Sequence, residues 1–307
     1  MGTLLQEYGV PRTHDDGVFS LYPLTNEKFH PEIERVHLEF LKAGAEIVTI
    51  NAFRTNPEAV EKLIGSKDVM ADSRRLTRAA VDLANNAVNQ YGQLKDGSRP
   101  LVAGNLTTIN DCFKPECAPL VDEAYERHSR KVQFLVEDGG IDIILGETFN
   151  TIGEAVGFLR TANEFADKSA KRLEIWIGFV CKDGGKILDG TPVRNVLRAL
   201  KRYRYDAVLF NCCHATFVEC ALESAQTEGL GGRRLGAYCN VEYEFKSDQG
   251  SVWERPSWLD SETFCFDAMK WLQYGVSIMG GCCGTRPSDI SLLRQRLDHV
   301  NAQHLFC

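Results

Sequence analysis

The sequence predicts an α/β fold whose strands and helices alternate along the whole chain, arranged as a (β/α)8 barrel with a missing or atypical first strand. Three observations favour this fold class. Continuous apolar runs of strand length alternate with longer amphipathic stretches. The alternation continues without a Pro/Ser-rich linker, a low-complexity tract or a break in composition. Cysteine and asparagine residues gather where predicted strands end, which is typical of barrels whose sites lie at the C-terminal face.

Each predicted strand is a continuous apolar run, as expected for parallel strands covered on both faces. In chain order these strands span residues 46–53, 100–106, 141–148, 174–180, 207–213, 235–240 and 276–282. The predicted helices span residues 31–43, 69–90, 120–137, 152–165, 191–203 and 290–302. The chain opens with Met1-Gly2-Thr3 and has no apolar run before it, so the first barrel strand has no candidate. A doubly wound sheet is the alternative, but such a sheet usually concentrates its site at one crevice.

Composition favours a cytoplasmic enzyme with a small-molecule substrate. A chain of 307 residues that is 44% hydrophobic can bury a large core, and we expect one domain over residues 1–307. No stretch approaches the ~20 apolar residues that cross a bilayer, and the N-terminus lacks a signal pattern. The net charge of -7, with acids and bases interspersed, argues against nucleic-acid or membrane-surface partners. The sequence sets no oligomeric state.

Two adjacent cysteines indicate metal chemistry. Cys282 and Cys283 lie among glycines that allow a tight turn at a predicted strand end, so both sulfurs can face one point. Cys212 ends another predicted strand, and all strands of a parallel barrel end on the same face. Three thiolates suit Zn²⁺, which prefers tetrahedral sulfur ligation and would keep a fourth position for water or substrate. The eleven cysteines, an odd number, are therefore interpreted as free thiols or metal ligands.

Five segments of the sequence together resemble one family, the zinc-dependent homocysteine S-methyltransferases. The resemblance is carried by residues 47–53, Gly146-Glu147-Thr148, Asn211-Cys212, Gly236 to Asn240 and Gly280 to Thr285. It implies a (β/α)8 TIM barrel whose three cysteines hold zinc at the C-terminal mouth. It also implies methyl transfer to the sulfur of homocysteine, giving methionine. The small single-domain members use S-methylmethionine or S-adenosylmethionine as the donor.

The chain departs from the family pattern in two places. The Asp-Gly-Gly or Asp-Gly-Ala turn that precedes Met-Gly-Thr is absent, and the family's Gly-Ser segment is replaced by residues 103–108. Two alternatives to methyl transfer onto homocysteine therefore stay open. One is a zinc-binding barrel that has lost catalysis, and the other is a methyltransferase for another small thiol or a selenol.

Several polar residues at strand ends are candidate substrate ligands. The family likeness suggests Glu147 as acceptor for the ammonium of an amino-acid substrate; the alternative is an acidic residue that begins the next helix. Asn51 and Asn211 either bind substrate or support the ligand shell. Tyr238 and Asn240 end one strand and shape the donor pocket, although packing is an equal explanation for the tyrosine. No protein group is expected to be catalytic beyond the zinc-activated thiolate of the substrate.

The two residues after Cys212, Cys213 and His214, are not predicted to be metal ligands. Cys213 should point to the opposite face of its strand and is predicted to pack in the core. His214 is a possible fourth ligand, but a fourth protein ligand would close the position that methyl transfer needs.

Overall fold

A single curled sheet of seven parallel strands organises the molecule. The computed structural model describes residues 1–11, 20–247 and 250–304. The sheet has the spatial order β1-β2-β3-β4-β7-β8-β11, formed by β1 Ile47–Thr49, β2 Leu101–Leu106, β3 Ile143–Phe149, β4 Glu174–Phe179, β7 Ala207–Asn211, β8 Arg234–Cys239 and β11 Val276–Gly281. Two antiparallel hairpins lie outside it, β5 Cys181–Lys182 with β6 Lys186–Ile187, and β9 Tyr243–Ser247 with β10 Gly250–Glu254.

Helices connect successive strands of the sheet. They are α1 Gly2–Glu7, α2 Tyr22–Thr25, α3 His30–Lys42, α4 Pro57–Ile64, α5 Val69–Tyr91, α6 Val121–Glu137, α7 Ile152–Lys168, α8 Val193–Leu200, α9 Ala215–Glu228, α10 Ser261–Lys270 and α11 Pro287–His304. Polar residues fix several boundaries: Asp68 accepts a hydrogen bond from the N–H of Ala71 at the start of α5, and Thr151 accepts one from Glu154 at the start of α7. No helix in the described ranges is long and apolar enough to span a membrane.

The curl of the sheet separates two apolar layers. The larger layer packs helices against the outer face of the sheet. The smaller layer fills the inner side and is formed by Ala103, Ile143, Leu145, Trp176, Ala207 and Leu209. Side chains alternate between the faces of a strand, so residues two positions further along these strands also face inward, at the C-terminal end. Asn105, Glu147 and Asn211 occupy such positions.

In the described part of the chain the sheet stays open between its two edge strands. Across residues 1–11, 20–247 and 250–304, no backbone ladder joins β1 to β11. Thr3 of α1 nevertheless connects to the loop after β11, because its Oγ1 accepts a hydrogen bond from the N–H of Gly284 at 3.3 Å. The predicted α/β alternation is confirmed, whereas the predicted (β/α)8 closure is replaced by a curled half-barrel of seven strands.

All seven strands predicted from apolar runs are confirmed, with small differences at their ends. The first is only three residues long, because the chain turns after it and the N–H of Thr55 bonds the carbonyl of Ala52. The strand predicted over 207–213 ends at Asn211, because Cys212 has a φ of 56° and leaves the strand conformation.

Candidate metal centre and its surroundings

The structure brings the three predicted thiols together. Cys212 follows β7, whereas Cys282 and Cys283 follow β11, and the Sγ atoms of all three lie within 4.8 Å of one another. The Sγ atoms of Cys212 and Cys283 are 4.0 Å apart. In the described part of the chain no fourth histidine, cysteine or acidic side chain joins this group. Three sulfur donors at such separations can surround one ion and leave a coordination position open.

Backbone geometry turns the sulfurs towards a common point. Cys212 adopts a left-handed conformation, with a φ of 56°, that a cysteine rarely takes. The loop with the other two ligands is held by Asn240, whose Oδ1 accepts a hydrogen bond from the N–H of Cys283 at 3.2 Å. Gly284 has a φ of 78°, and a Cβ there would clash with the side chain of Glu242. Gly284, one of the glycines beside the cysteine pair, is therefore needed for the backbone conformation of this loop.

The thiols share their protons unequally. Hydrogen bonds from Cys212 and Cys282 hold the pKa of Cys283 well below its usual range. Hydrogen bonds with Cys282 and Cys283 raise the pKa of Cys212. The three thiols are therefore close enough to hydrogen-bond to one another and to shift one another's pKa.

Glu147 lies on the inner side of the sheet with both carboxylate oxygens engaged. Its Oε1 accepts a hydrogen bond from Nδ2 of Asn105 at 2.6 Å, and its Oε2 accepts one from the hydroxyl of Tyr238 at 3.1 Å. Burial raises the pKa of Glu147, while these two bonds and the nearby Lys131 ammonium act in the opposite direction. Glu147 precedes α7 by several residues and does not cap it; Thr151 does. The two bonds hold the carboxyl group in a fixed orientation with both oxygens acting as acceptors.

Asn211, the last residue of β7 and the neighbour of Cys212, is bonded to β3, the strand that carries Glu147. Its Oδ1 accepts a hydrogen bond from the N–H of Thr148 at 3.2 Å, and its Nδ2 donates one to Oγ1 of the same residue at 2.9 Å. Asn211 is 0% exposed, so this amide is already committed to Thr148. Asn211 was predicted either to bind substrate or to support the ligand shell, and these bonds favour the supporting role.

The other polar candidates occupy different positions. Asn51 donates from Nδ2 to the carbonyl of Ser20 at 3.0 Å and anchors that segment. Tyr238 is directed at Glu147, and its pKa is raised well above the usual value by burial and then by the Glu147 charge. Asn240 supports the loop that carries Cys282 and Cys283. Substrate contacts for Asn51, Tyr238 and Asn240 stay predictions.

The neighbours of Cys212 lie outside the thiol cluster. Cys213 is buried in the larger apolar layer together with Cys181, which agrees with a packing role. The Nδ1 atom of His214 is 2.7 Å from Oγ1 of Thr216 and accepts a bond from the N–H of Thr216, so this side chain caps α9. His214 is therefore not among the residues that the structure brings to the cluster.

Two further residues shape the site and were not predicted as site residues. Asn105 lies in the segment 103–108 that departs from the family pattern, yet it bonds Glu147 directly. Its position two residues after the inward Ala103 was the available signal. Gly178 of β4 is the second: a Cβ there would lie 3.0 Å from Oδ1 of Asn211 and 3.2 Å from the Tyr238 hydroxyl. The absence of a side chain gives Tyr238 room to reach Glu147.

Known proteins match this chain over nearly its full length. A selenocysteine Se-methyltransferase of Brassica oleracea var. italica is 27% identical over 302 residues, covering 89% of this chain and 81% of the relative. The homocysteine S-methyltransferase YbgG of Bacillus subtilis (strain 168) is 25% identical over 288 residues, covering 90% and 86%.

The fold also matches a solved structure. The metallated form of the homocysteine methyltransferase MmuM from Escherichia coli superposes with a TM-score of 0.78 at 24% identity, covering 96% of this chain and 93% of that chain. The family model described as homocysteine S-methyltransferase matches residues 1–297. The chain belongs to the homocysteine S-methyltransferase family.

Proposed function

We propose that this protein transfers a methyl group from a sulfonium donor, S-methylmethionine or S-adenosylmethionine, to the thiol of homocysteine, giving methionine. The observation that carries the proposal is the set of three thiols from two strand ends, with Sγ atoms within 4.8 Å of one another. It lies beside Glu147, an anionic acceptor suited to an amino-acid ammonium. Homocysteine bears both groups that such a site would bind, a thiol and an ammonium.

The resident ion is proposed to be zinc, held by Cys212, Cys282 and Cys283. An all-sulfur donor set of three fits Zn²⁺ better than it fits Mg²⁺ or Ca²⁺, which take oxygen ligands. When bound, zinc supplies Lewis acidity that lowers the pKa of a substrate thiol. A reducing, cytoplasmic location stays a prediction that suits these ligands, because they must remain reduced.

The side chains of this protein bind, orient and set the local charge. Glu147 is preorganised by Asn105 and Tyr238, so it needs little rearrangement to accept an ammonium. Three thiolates leave a site negatively charged even with a divalent ion in place. That field favours a cationic methyl donor. Orientation of the two substrates is the other requirement, since transfer needs an in-line approach of sulfur to the methyl carbon.

A methyl-transfer assay tests the proposal. Purified, zinc-loaded protein is incubated with homocysteine and either S-methylmethionine or S-adenosylmethionine, and methionine is quantified by mass spectrometry. We expect methionine with at least one sulfonium donor and none with Cys282→Ala. A folded, zinc-loaded protein that forms no methionine with either donor would support instead a zinc-binding barrel without catalysis.

Selenocysteine is a second candidate acceptor. A relative named selenocysteine Se-methyltransferase is 27% identical over 302 residues, which favours a test of a selenol at the same thiol cluster. Competition between homocysteine and selenocysteine in the same assay decides between the acceptors. A larger kcat/KM for selenocysteine than for homocysteine would make selenocysteine the proposed acceptor.

A further inference from the structure

Two basic side chains near the C-terminal ends of β1 and β2 donate hydrogen bonds to main-chain carbonyls. Arg54 follows β1, and its Nη1 donates to the carbonyls of Thr108 at 3.2 Å and Asn110 at 3.0 Å. Lys131 projects from α6 and donates to the carbonyl of Ala52. Among the ion pairs formed within residues 1–11, 20–247 and 250–304, none involves Arg54 or Lys131. Their contacts with main-chain carbonyls fix their positions without neutralising their charge.

Both cations belong to the surroundings of Glu147 and the thiols. Burial, and after it the Arg54 charge, lower the pKa of Lys131 to about 7, while the Glu147 charge acts in the opposite direction. Arg54 Nη2 is 4.0 Å from Sγ of Cys112. The segment after β2 links Arg54 to Glu147: Asn105 donates a hydrogen bond to Glu147, and the carbonyls of Thr108 and Asn110 further along it accept hydrogen bonds from Arg54. Arg54 and Glu147 therefore contact the same short segment of chain at this end of the sheet.

Two like charges in a largely buried region are costly unless a counter-charge is present. Lys131 is only 2% exposed, so water cannot fully solvate its ammonium. An anionic group of a ligand would offset that cost. An amino acid carries a carboxylate on the same carbon as its ammonium, so a ligand whose ammonium binds Glu147 also places a carboxylate within a few ångströms.

We propose that Arg54, supported by Lys131, recognises the α-carboxylate of the amino-acid thiol whose ammonium binds Glu147. Arg54 is the specificity-determining residue, because its planar guanidinium matches a carboxylate with two parallel hydrogen bonds. Lys131 is a positioning residue, because it holds the Ala52 carbonyl in the loop that carries Arg54. This inference rests on the proposed function, since it names how the amino-acid end of the acceptor is selected.

The test removes the carboxylate from the substrate and the guanidinium from the enzyme in turn. Homocysteine is compared with 3-aminopropane-1-thiol, which lacks the carboxylate, in zinc-loaded wild type, Arg54→Met and Arg54→Lys. Arg75→Met is the matched control, because Arg75 is an exposed arginine paired with Asp72 on α5. We expect Arg54→Met to lower kcat/KM for homocysteine about 10- to 100-fold and to leave 3-aminopropane-1-thiol almost unchanged, with Arg54→Lys between.

The donor is also an amino acid, so a second arm identifies which carboxylate is recognised. S-methylmethionine is compared with (3-aminopropyl)dimethylsulfonium, which lacks the donor carboxylate, in the same variants. A selective loss with the complete donor, and none with the complete thiol, would overturn the assignment to the acceptor. An equal loss with every substrate, or no loss, would make Arg54 only a loop anchor and overturn the proposal.

Direct binding separates this inference from the proposed function. Calorimetric titration of zinc-loaded wild type and Arg54→Met with homocysteine requires no turnover. If wild type forms no methionine yet binds homocysteine about 10-fold or more tightly than Arg54→Met does, the proposed activity fails and the carboxylate site stands. Equal affinities would reject the carboxylate site whether or not the enzyme is active.

Discussion

Asn211 of β7 and Thr148 of β3 form two hydrogen bonds, at 3.2 and 2.9 Å, although β4 separates their strands in the sheet. Thr148 has a φ of 62°, an unfavourable conformation for a β-branched residue, and Cys212 beside Asn211 has a φ of 56°. Such conformations cost of order 1–3 kcal/mol each and persist when the surroundings hold them. One buried amide thus maintains the backbone next to the carboxylate of Glu147 and next to the thiol of Cys212.

Replacing Asn211 with alanine should therefore weaken both stability and metal binding. We expect Asn211→Ala to lower the free energy of unfolding by about 1–3 kcal/mol, because a buried reciprocal pair of bonds is lost. Zinc affinity, measured by chelator competition, should fall as well. Asn163→Ala is the matched control, since Asn163 forms a similar reciprocal pair with Arg204 at an exposed position. Equal zinc affinity in wild type and Asn211→Ala would contradict the coupling.

Glu147 should determine the affinity for the ammonium of the acceptor. We expect Glu147→Gln to raise KM for homocysteine about 10-fold or more, because a charge-assisted contact becomes a neutral one. The substrate 4-sulfanylbutanoic acid lacks the ammonium and is the control, since its KM should not rise in the variant. Steady-state kinetics with both thiols measure the effect. A similar rise for both would indicate a structural role alone.

The space left by Gly178 should be necessary for the Tyr238–Glu147 contact. In Gly178→Ala the new Cβ would lie 3.0 Å from Oδ1 of Asn211 and 3.2 Å from the Tyr238 hydroxyl, so these groups must shift. We expect a destabilisation of about 1–3 kcal/mol and a raised KM for homocysteine. Gly153→Ala in α7 is the control, because its Cβ meets only Val121 at 3.7 Å. Unchanged kinetics in Gly178→Ala would show that the site accommodates a methyl group.

Metal content should depend on the three cluster thiols and not on cysteines in general. We expect Cys282→Ala to lower zinc affinity more than ~100-fold, since loss of a direct ligand should exceed the effect of losing a supporting group. Elemental analysis after dialysis against a chelator measures it. Cys265→Ala is the matched control, as Cys265 is buried in α10 away from the cluster. If Cys282→Ala binds zinc with wild-type affinity, the proposed metal site is wrong.

Acid should destabilise the protein partly through His37. Burial lowers the pKa of His37 from 6.5 to about 3, so the unfolded chain binds a proton that the folded chain does not between these values. Stability from this residue is complete above pH 6.5 and decreases as the pH falls towards 3. At pH 5 the loss is about 2 kcal/mol, from 1.5 pH units at 1.36 kcal/mol each.

Urea unfolding of wild type and His37→Leu at pH 7.5 and pH 5 measures this contribution. Relative to wild type, the free energy of unfolding of His37→Leu should rise by about 2 kcal/mol when the pH is lowered from 7.5 to 5. Metal-ligand protonation affects both proteins alike and cancels in the comparison. A pH-independent difference would contradict the role of His37.

The sequence allowed prediction of the sheet strands and of the thiols, but not of the contacts that make the site precise. Buried parallel strands leave apolar runs of a definite length, so all seven strands were found. Cys212, Cys282 and Cys283 were predictable because strand ends meet in a parallel sheet. The positive φ of Thr148 had no local signal, since a threonine adopts it only when a distant residue, Asn211, holds it. The role of Gly178 likewise depends on neighbours from other strands.

The link between α1 and the loop after β11 has a thermodynamic consequence. Thr3 accepts a hydrogen bond from Gly284, next to Cys283, and donates one to Glu242 at 3.3 Å. A six-residue helix such as α1 frays easily in isolation. Fraying of this helix and occupancy of the thiol cluster are therefore linked equilibria: an ion that orders the loop should protect the first amides of the chain from hydrogen exchange.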